Sequence, residues 1–171
     1  MEERHIRGIA QFVTSIGIAV LRVEMYGHGQ SEGEFVRHTV LKWVDQMLDV
    51  FDYAAHLDFV TDLYLSGHSQ GGLVAALVAG MEADRISGLI LRAPAFLIPK
   101  AARIGNMTGL IFDPVHIPDR ISLFRGVELD GNYARVAQTI HAEDAADRFK
   151  GPVLLLHGTE DDVVPLGDSR E

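Results

Sequence analysis

The residues with the clearest chemical potential form the pentapeptide Gly67-His68-Ser69-Gln70-Gly71. An apolar run precedes it and an alanine- and leucine-rich stretch follows it, so it lies between a predicted strand and a predicted helix. A serine on so tight a turn presents its hydroxyl outside the sheet edge, which makes Ser69 a candidate nucleophile. The N–H of Gln70 would then donate a hydrogen bond to an oxyanion. Gly67 and Gly71 are predicted as the structural glycines of the turn, because a Cβ there would clash with nearby backbone.

A second polar cluster, Glu160-Asp161-Asp162, follows the apolar run 152–157. Ligands gather at the carboxyl ends of parallel strands. A carboxylate at that position can orient a histidine and stabilise its imidazolium form. On chemistry alone any of the three acids fits this role, and so does a plain solvated turn.

The elements that would hold these motifs alternate between helix and strand. Apolar residues at spacings of three and four, or a dense apolar stretch, predict helices over 2–16, 39–54 and 72–82. Short continuous apolar runs predict buried strands at 18–23, 62–66, 86–92 and 152–157. This alternation predicts an α/β fold with a mostly parallel sheet.

The alternation is interrupted between the third and fourth predicted strands. Residues 95–144 carry scattered proline, glycine and asparagine with no long periodic run. We predict an inserted lid there, with one short helix near Arg135–Ile140. Residues 1–94 and 145–171 would then be the two parts of the core.

Composition narrows the possible partners and cofactors. A chain of 171 residues with 47% hydrophobic side chains suits one globular domain, and a net charge of −9 disfavours nucleic acid or an anionic membrane as partner. The absence of cysteine excludes disulfides and zinc–thiolate sites. No His-x-x-x-His pair indicates a metal, and Gly27-His28-Gly29 lacks the third glycine of a dinucleotide loop, so no cofactor is predicted. The charged start MEERHIRG is not a secretory signal, and we expect a cytoplasmic protein.

Taken together, the motifs resemble those of the α/β-hydrolases and, more narrowly, of the bacterial feruloyl (cinnamoyl) esterases. The turn at 67–71, called the nucleophile elbow in these proteins, and the His-Gly-x-x-Asp turn at 157–161 indicate the superfamily. The segments of the predicted lid indicate the esterase subgroup. The matching stretches are LRVEMYGHGQSEG, LYLSGHSQGGL, FDPVHIPD, GNYARVAQTIHAED and PVLLLHGTEDDVVP. The resemblance implies a partial α/β-hydrolase fold: a mostly parallel sheet with helices on both faces and an inserted lid.

The same resemblance implies residue roles. Ser69 would be the nucleophile and Asp161 the triad acid of a serine carboxylic ester hydrolase that works through an acyl-enzyme. Residues 95–144 would cover the acyl pocket. Tyr133 would either hydrogen-bond the phenol of a hydroxycinnamate or simply pack within the lid. The partner would be a small-molecule ester, and the oligomeric state stays open.

The expected base is missing from this sequence. In this fold the triad runs serine, acid, histidine along the chain, yet none of the eight histidines follows Asp161. Without a base Ser69 stays a weak nucleophile. The second oxyanion donor is also not found, nor is the strand that, by the resemblance, precedes the first helix and lies in the sheet beside strands 18–23 and 62–66. We therefore expect that both ends of a longer chain are absent. Another α/β-hydrolase, such as a monoacylglycerol lipase, a small-ester carboxylesterase or a serine peptidase, and an inert pseudo-hydrolase, remain alternatives.

Overall fold

A computed structural model describes residues 4–107, 109–123 and 126–169. Six helices and seven strands occur among these residues. The helices are α1 (Arg4–Ser15), α2 (Val40–Ala55), α3 (Gln70–Met81), α4 (Leu97–Ile104), α5 (Asn132–Gln138) and α6 (Ala142–Ala146). The strands are β1 (Tyr64–His68), β2 (Gly88–Arg92), β3 (Asn106–Met107), β4 (Leu110–Ile111), β5 (Arg120–Leu123), β6 (Val127–Asp130) and β7 (Val153–Leu156). Three 3-10 turns cover Phe35–Arg37, Ala83–Arg85 and Leu166–Ser169.

The main sheet is parallel and has the strand order β1-β2-β7. Leu89 in the central strand pairs with Leu65 on one side and with Val153 on the other. Helix α3 packs on β1 and β2, and α2 and α6 pack on α3. Residues 72–80 of α3 are all buried, so this helix is the centre of the core. The predicted parallel α/β sheet flanked by helices is therefore confirmed.

The three predicted helices are observed with bounds shifted by one or two residues, apart from residues 2 and 3, which lie outside the described residues. Helix α2 shows why the sequence prediction works. Thr39 caps it, because its side chain accepts a hydrogen bond from the Lys42 N–H at 3.2 Å. Val44 and Phe51, both 2% exposed, lie two turns apart on the face that points into the core.

The predicted strand at 18–23 is not observed. This segment has no regular secondary structure, and among the described residues no strand pairs with it. An apolar run becomes a strand only where a neighbour satisfies its N–H and C=O groups. Its large side chains are between 37% and 55% exposed: Ile18, Val20, Leu21 and Val23.

The predicted strand near 152–157 is present, but the expectation that it is buried was wrong. All four residues of β7 are between 40% and 52% exposed. Within the described residues β7 is an edge strand that pairs only with β2. An apolar run thus indicates a strand suited to burial, whereas its actual burial depends on what packs against it.

Residues 95–144 are more regular than the sequence predicted. The single helix expected near Arg135–Ile140 is observed as α5, which begins at Asn132 and ends at Gln138. Helix α4 packs against α5, and the segment also holds two antiparallel hairpins, β3–β4 and β5–β6. Strands of two to four residues and an eight-residue helix are too short to produce a clear periodic signal. None of the helices in the described residues is long and apolar enough to cross a membrane.

Candidate active site

Ser69 lies on the turn between the end of β1 and the start of α3. Its backbone is in a left-handed conformation, with φ of 53° and ψ of −123°. A non-glycine residue keeps such a conformation only where its surroundings enforce it. Here the Ser69 N–H donates to the Arg92 carbonyl at 3.0 Å, and the Ser69 carbonyl accepts from the N–H of Ala95 at 3.0 Å. The turn is thus bonded on both sides to the chain that leaves the neighbouring strand.

Close backbone packing around the turn explains one of the two predicted structural glycines. A Cβ on Gly67 would lie 2.1 Å from the carbonyl oxygen of Gly71, which no side chain can tolerate. A Cβ on Gly71 itself would meet nothing within 4 Å, so the predicted clash at that position was wrong. The second close approach is at Gly72, where a Cβ would lie 2.9 Å from the Pro94 Cα.

Gln70 is the first residue of α3 and directly follows Ser69. The first N–H groups of a helix have no intrahelical acceptor, and the helix dipole places partial positive charge there. The Gln70 N–H therefore has the position and the free donor that the predicted oxyanion role requires. Whether it binds an oxyanion stays a prediction.

Tyr133 contacts the side chain of Gln70. Its side chain is buried, only 3% exposed, and its hydroxyl donates to the Gln70 Oε1 at 2.8 Å. Burial raises the pKa of the Tyr133 phenol, so the group is neutral and able to donate. This geometry shows a packed tyrosine bonded to the Gln70 side chain, and the binding of a substrate phenol by Tyr133 stays a prediction.

His38 completes the group of buried polar side chains near Gln70. The imidazole is 4% exposed and its Nδ1 lies 2.7 Å from the Phe35 carbonyl oxygen. Its ring stacks on Trp43, with 5.3 Å between the ring centroids. Burial lowers the pKa of His38, and the nearby charges of His28 and Lys42 act in the same direction. Sequence reasoning did not single out this residue.

We expect His38 to make stability depend on pH. Because its pKa is lower in the folded chain, the unfolded chain binds more protons below pH 6.5. Stability should therefore be full above about pH 6.5 and fall as the pH drops towards the lowered folded value. His38→Asn keeps a donor for the Phe35 carbonyl but cannot titrate, so its loss of stability over this range should be smaller. Urea unfolding at pH 5 to 8 measures this, and parallel curves for the two proteins would contradict it.

Asp161 is held in an ionised form by the backbone that follows it. Its Oδ1 accepts hydrogen bonds from the N–H groups of Val163 at 3.0 Å and Val164 at 2.9 Å. The bonds from Val164 and Val163, in that order, lower the pKa of the Asp161 carboxyl. Its second oxygen lies 3.7 Å from the His157 Nε2.

His157 is not the proton acceptor that Asp161 would orient. Its Nε2 donates to the Val164 carbonyl at 2.8 Å, which places the proton on that nitrogen. Its Nδ1 then accepts from the Ser169 hydroxyl at 2.6 Å. With both nitrogens engaged and a side chain only 3% exposed, the His157 imidazole supports the turn rather than taking part in proton transfer.

Ser69 and Asp161 lie at the same edge of the sheet. Ser69 follows the carboxyl end of β1, and Asp161 follows that of β7, with β2 between the two strands. Two strand spacings separate these ends by about 10 Å. The structure thus brings the two predicted site residues to one edge of the sheet, with the end of β2 between them.

The described residues contain no group of three or more side chains placed to hold a metal ion. Two surface cavities, of about 520 and 380 Å³, lie elsewhere. The first separates α1 from residues 20–22, and the second lies between α3 and residues 139–148. Neither is lined by Ser69 or Asp161.

A parallel sheet with a serine on a left-handed strand-to-helix turn defines an α/β-hydrolase. The chain matches the Hydrolase_4 family model, described as serine aminopeptidase, S33, over residues 4–122, and it belongs to this family. It is similar to Est1E from Butyrivibrio proteoclasticus, solved with ferulic acid bound: the two are 51% identical with a TM-score of 0.95. That match covers 99% of this chain and 68% of Est1E. The predicted resemblance is thereby confirmed.

Lipases are also among the similar proteins. The alignment with mouse monoglyceride lipase is 190 residues long and shows 33% identity. It covers 90% of this chain and 59% of the lipase. The chain thus spans well under two thirds of that protein. The monoacylglycerol lipase of Paleococcus ferrophilus shares the fold, with a TM-score of 0.69 at 22% identity over 99% of this chain and 74% of that one.

Proposed function

We propose that this chain carries the nucleophile and the orienting acid of a serine carboxylic ester hydrolase that acts on hydroxycinnamate esters. The observation that carries the proposal is Ser69, held in a left-handed turn at the start of α3 and at the sheet edge it shares with Asp161. The proposed substrate class is supported by the similarity to Est1E, which binds ferulic acid.

The geometry supports an acyl-enzyme mechanism. The Ser69 Oγ would attack the ester carbonyl while an imidazole takes its proton, and the new oxyanion would accept a hydrogen bond from the Gln70 N–H. Collapse of this intermediate breaks the bond to the alkoxide, which leaves as the alcohol after it takes the Ser69 proton from the imidazolium. Water then cleaves the acyl–serine ester by the same steps in the same site. Asp161, ionised by its backbone hydrogen bonds, would stabilise the imidazolium form.

The experiment supplies the proton acceptor from solution. We expect the purified chain to release ferulate from methyl ferulate faster when imidazole is added, with saturation as imidazole fills the site. Ser69→Ala should remove the protein-dependent rate completely, because the attacking oxygen is absent. A fluorophosphonate probe, read by mass spectrometry, should label Ser69 and leave Ser69→Ala unlabelled. Equal rates for the two proteins, together with an unlabelled Ser69, would overturn the proposal and support an inert pseudo-hydrolase.

A monoacylglycerol lipase is the second candidate, and the similarity to mouse monoglyceride lipase favours it. Such a lipase would use the same Ser69 nucleophile, and its substrate would carry a fatty acyl group in place of the hydroxycinnamoyl group. Parallel assays with methyl ferulate and a monoacylglycerol of a long-chain fatty acid separate the two. Faster turnover of the acylglycerol would reject the hydroxycinnamate substrate and keep the serine ester hydrolase.

A further inference from the structure

The side chain of Gln70 is bonded to a part of the fold that is remote in sequence. The Tyr133 hydroxyl donates to its Oε1 at 2.8 Å, across 63 residues of chain. The backbone N–H of the same residue is the proposed oxyanion donor. The residue that would point its main chain at the substrate therefore has its side chain held by α5.

The Gln70 side chain is held through its oxygen. Its Oε1 accepts from Tyr133, whereas its Nε2 is buried and has no hydrogen-bond partner within the part of the chain that the structure describes. Tyr133 in turn packs on the ring of His38. The Phe35 carbonyl can only accept, so the His38 Nδ1 donates to it in their 2.7 Å contact.

Aromatic packing fixes both of these neighbours. The His38 ring lies 5.3 Å from Trp43 and 5.2 Å from Tyr133, measured between ring centroids. Trp43 is itself held by the hydrogen bond from its Nε1 to the Tyr26 carbonyl at 3.3 Å. With His38 and Tyr133 both under 5% exposed, the cluster forms a rigid support behind Gln70.

We propose that Tyr133 is a positioning residue that clamps the Gln70 side chain and thereby aims its backbone N–H at the oxyanion, while His38 supports the Tyr133 ring. Gln70 begins α3, where the backbone is not yet fixed by intrahelical hydrogen bonds to its own N–H. The hydrogen bond from Tyr133 to its side chain restricts that freedom. Since Tyr133 belongs to α5, the oxyanion donor is aligned only while α5 is packed in place. This inference rests on the proposed function, and it links residues 132–138 to the reactivity of Ser69.

The first test reads the Gln70 backbone N–H directly and needs no catalysis. Tyr133→Phe removes only the hydroxyl that donates to Gln70. We expect its ¹H–¹⁵N spectrum to show a shifted Gln70 amide and faster hydrogen exchange at that group, with the rest of α3 unchanged. Tyr53→Phe is the matched control, because Tyr53 is 62% exposed on α2. A Gln70 amide that behaves alike in both variants would overturn the clamp, whatever the activity of the chain.

The second test separates positioning from substrate binding. In the imidazole-supplemented assay, a misplaced oxyanion donor lowers kcat with little change in KM. We expect Tyr133→Phe to lose about tenfold in kcat, a fraction of the ~10²–10³-fold loss that follows complete removal of an oxyanion donor. The loss should be equal for methyl ferulate and for methyl cinnamate, which has no phenol. A loss confined to methyl ferulate and expressed in KM would instead make Tyr133 a phenol-binding residue.

A double-mutant cycle tests whether Gln70 mediates the effect. Gln70→Met keeps the backbone N–H and the length of the side chain but removes the amide. In the Gln70→Met background, Tyr133→Phe should lower kcat little further, because the hydrogen bond between the two side chains is already absent. Full additivity would overturn the clamp. A wild-type chain without turnover would count against the proposed function alone, and the Gln70 amide would still decide the clamp.

Discussion

Gly67→Ala should be the most destabilising single-methyl addition at the elbow. The new Cβ would lie 2.1 Å from the Gly71 carbonyl oxygen and 2.4 Å from its carbon, and both atoms are backbone in the first turn of α3. Such a contact is relieved only if β1 and α3 move apart. That movement would disrupt the packing of α3 on the sheet, which is the centre of the core. We expect the free energy of unfolding to fall by about 3 kcal/mol or more.

Gly71→Ala is the matched control, four residues away in the same motif. A Cβ there meets nothing within 4 Å, and alanine is preferred over glycine inside a helix by about 1 kcal/mol. Gly71→Ala should therefore be neutral or slightly stabilising. Urea unfolding followed by circular dichroism measures both variants. Similar losses of stability in the two would show that the elbow glycines act together rather than through the single contact at Gly67.

The sequence predicts the elbow well because its chemistry is local. A strand, five residues and a helix contain all the information needed to place Ser69, and the observed left-handed φ of 53° agrees with that prediction. The same motif wrongly predicted a close backbone contact at Gly71. Several glycines in one motif do not show which of them lies against neighbouring backbone. The coordinates show that Gly67 and Gly72 do so.

The strand at 18–23 and the burial of the strand at 152–157 were predicted wrongly, because both depend on partners distant in sequence. Residues 18–23 and 152–157 have equally apolar sequences, yet only the second run pairs, because β2 lies beside it. Both are largely exposed in the described chain. An apolar run therefore reports what a segment can bury and not whether a neighbour is present to cover it.

The contact between Tyr133 and Gln70 was also beyond sequence reasoning. It joins residues 63 positions apart, and one of them lies in a segment whose strands are too short to show periodicity. The role of His38 was missed for a similar reason, since a lone histidine before a helix has no distinctive pattern. A useful signal would have been the cluster of aromatic and histidine residues between 26 and 43, which packs against Tyr133 through His38.

Asp161→Asn should abolish most of the acceleration that added imidazole gives to Ser69. The asparagine Oδ1 can still accept from the N–H groups of Val163 and Val164, so the turn keeps its shape. Its amide nitrogen then replaces the oxygen that would accept from the imidazole. A donor at that position favours the wrong tautomer and cannot stabilise the imidazolium. We expect the imidazole-dependent rate to fall by at least about 100-fold, below the ~10⁴-fold seen for a tethered histidine.

Asp162→Asn is the matched control for Asp161→Asn, because it removes the same charge from the next residue. It should retain most of the imidazole-dependent rate. The pH profile gives an independent check. Since backbone hydrogen bonds lower the pKa of Asp161, its carboxylate stays ionised well below pH 5, and the wild-type rate between pH 5 and 8 should follow the protonation of imidazole alone. If Asp162→Asn loses as much rate as Asp161→Asn, the two acids act through the general charge of the turn and the assignment of Asp161 as the triad acid is wrong.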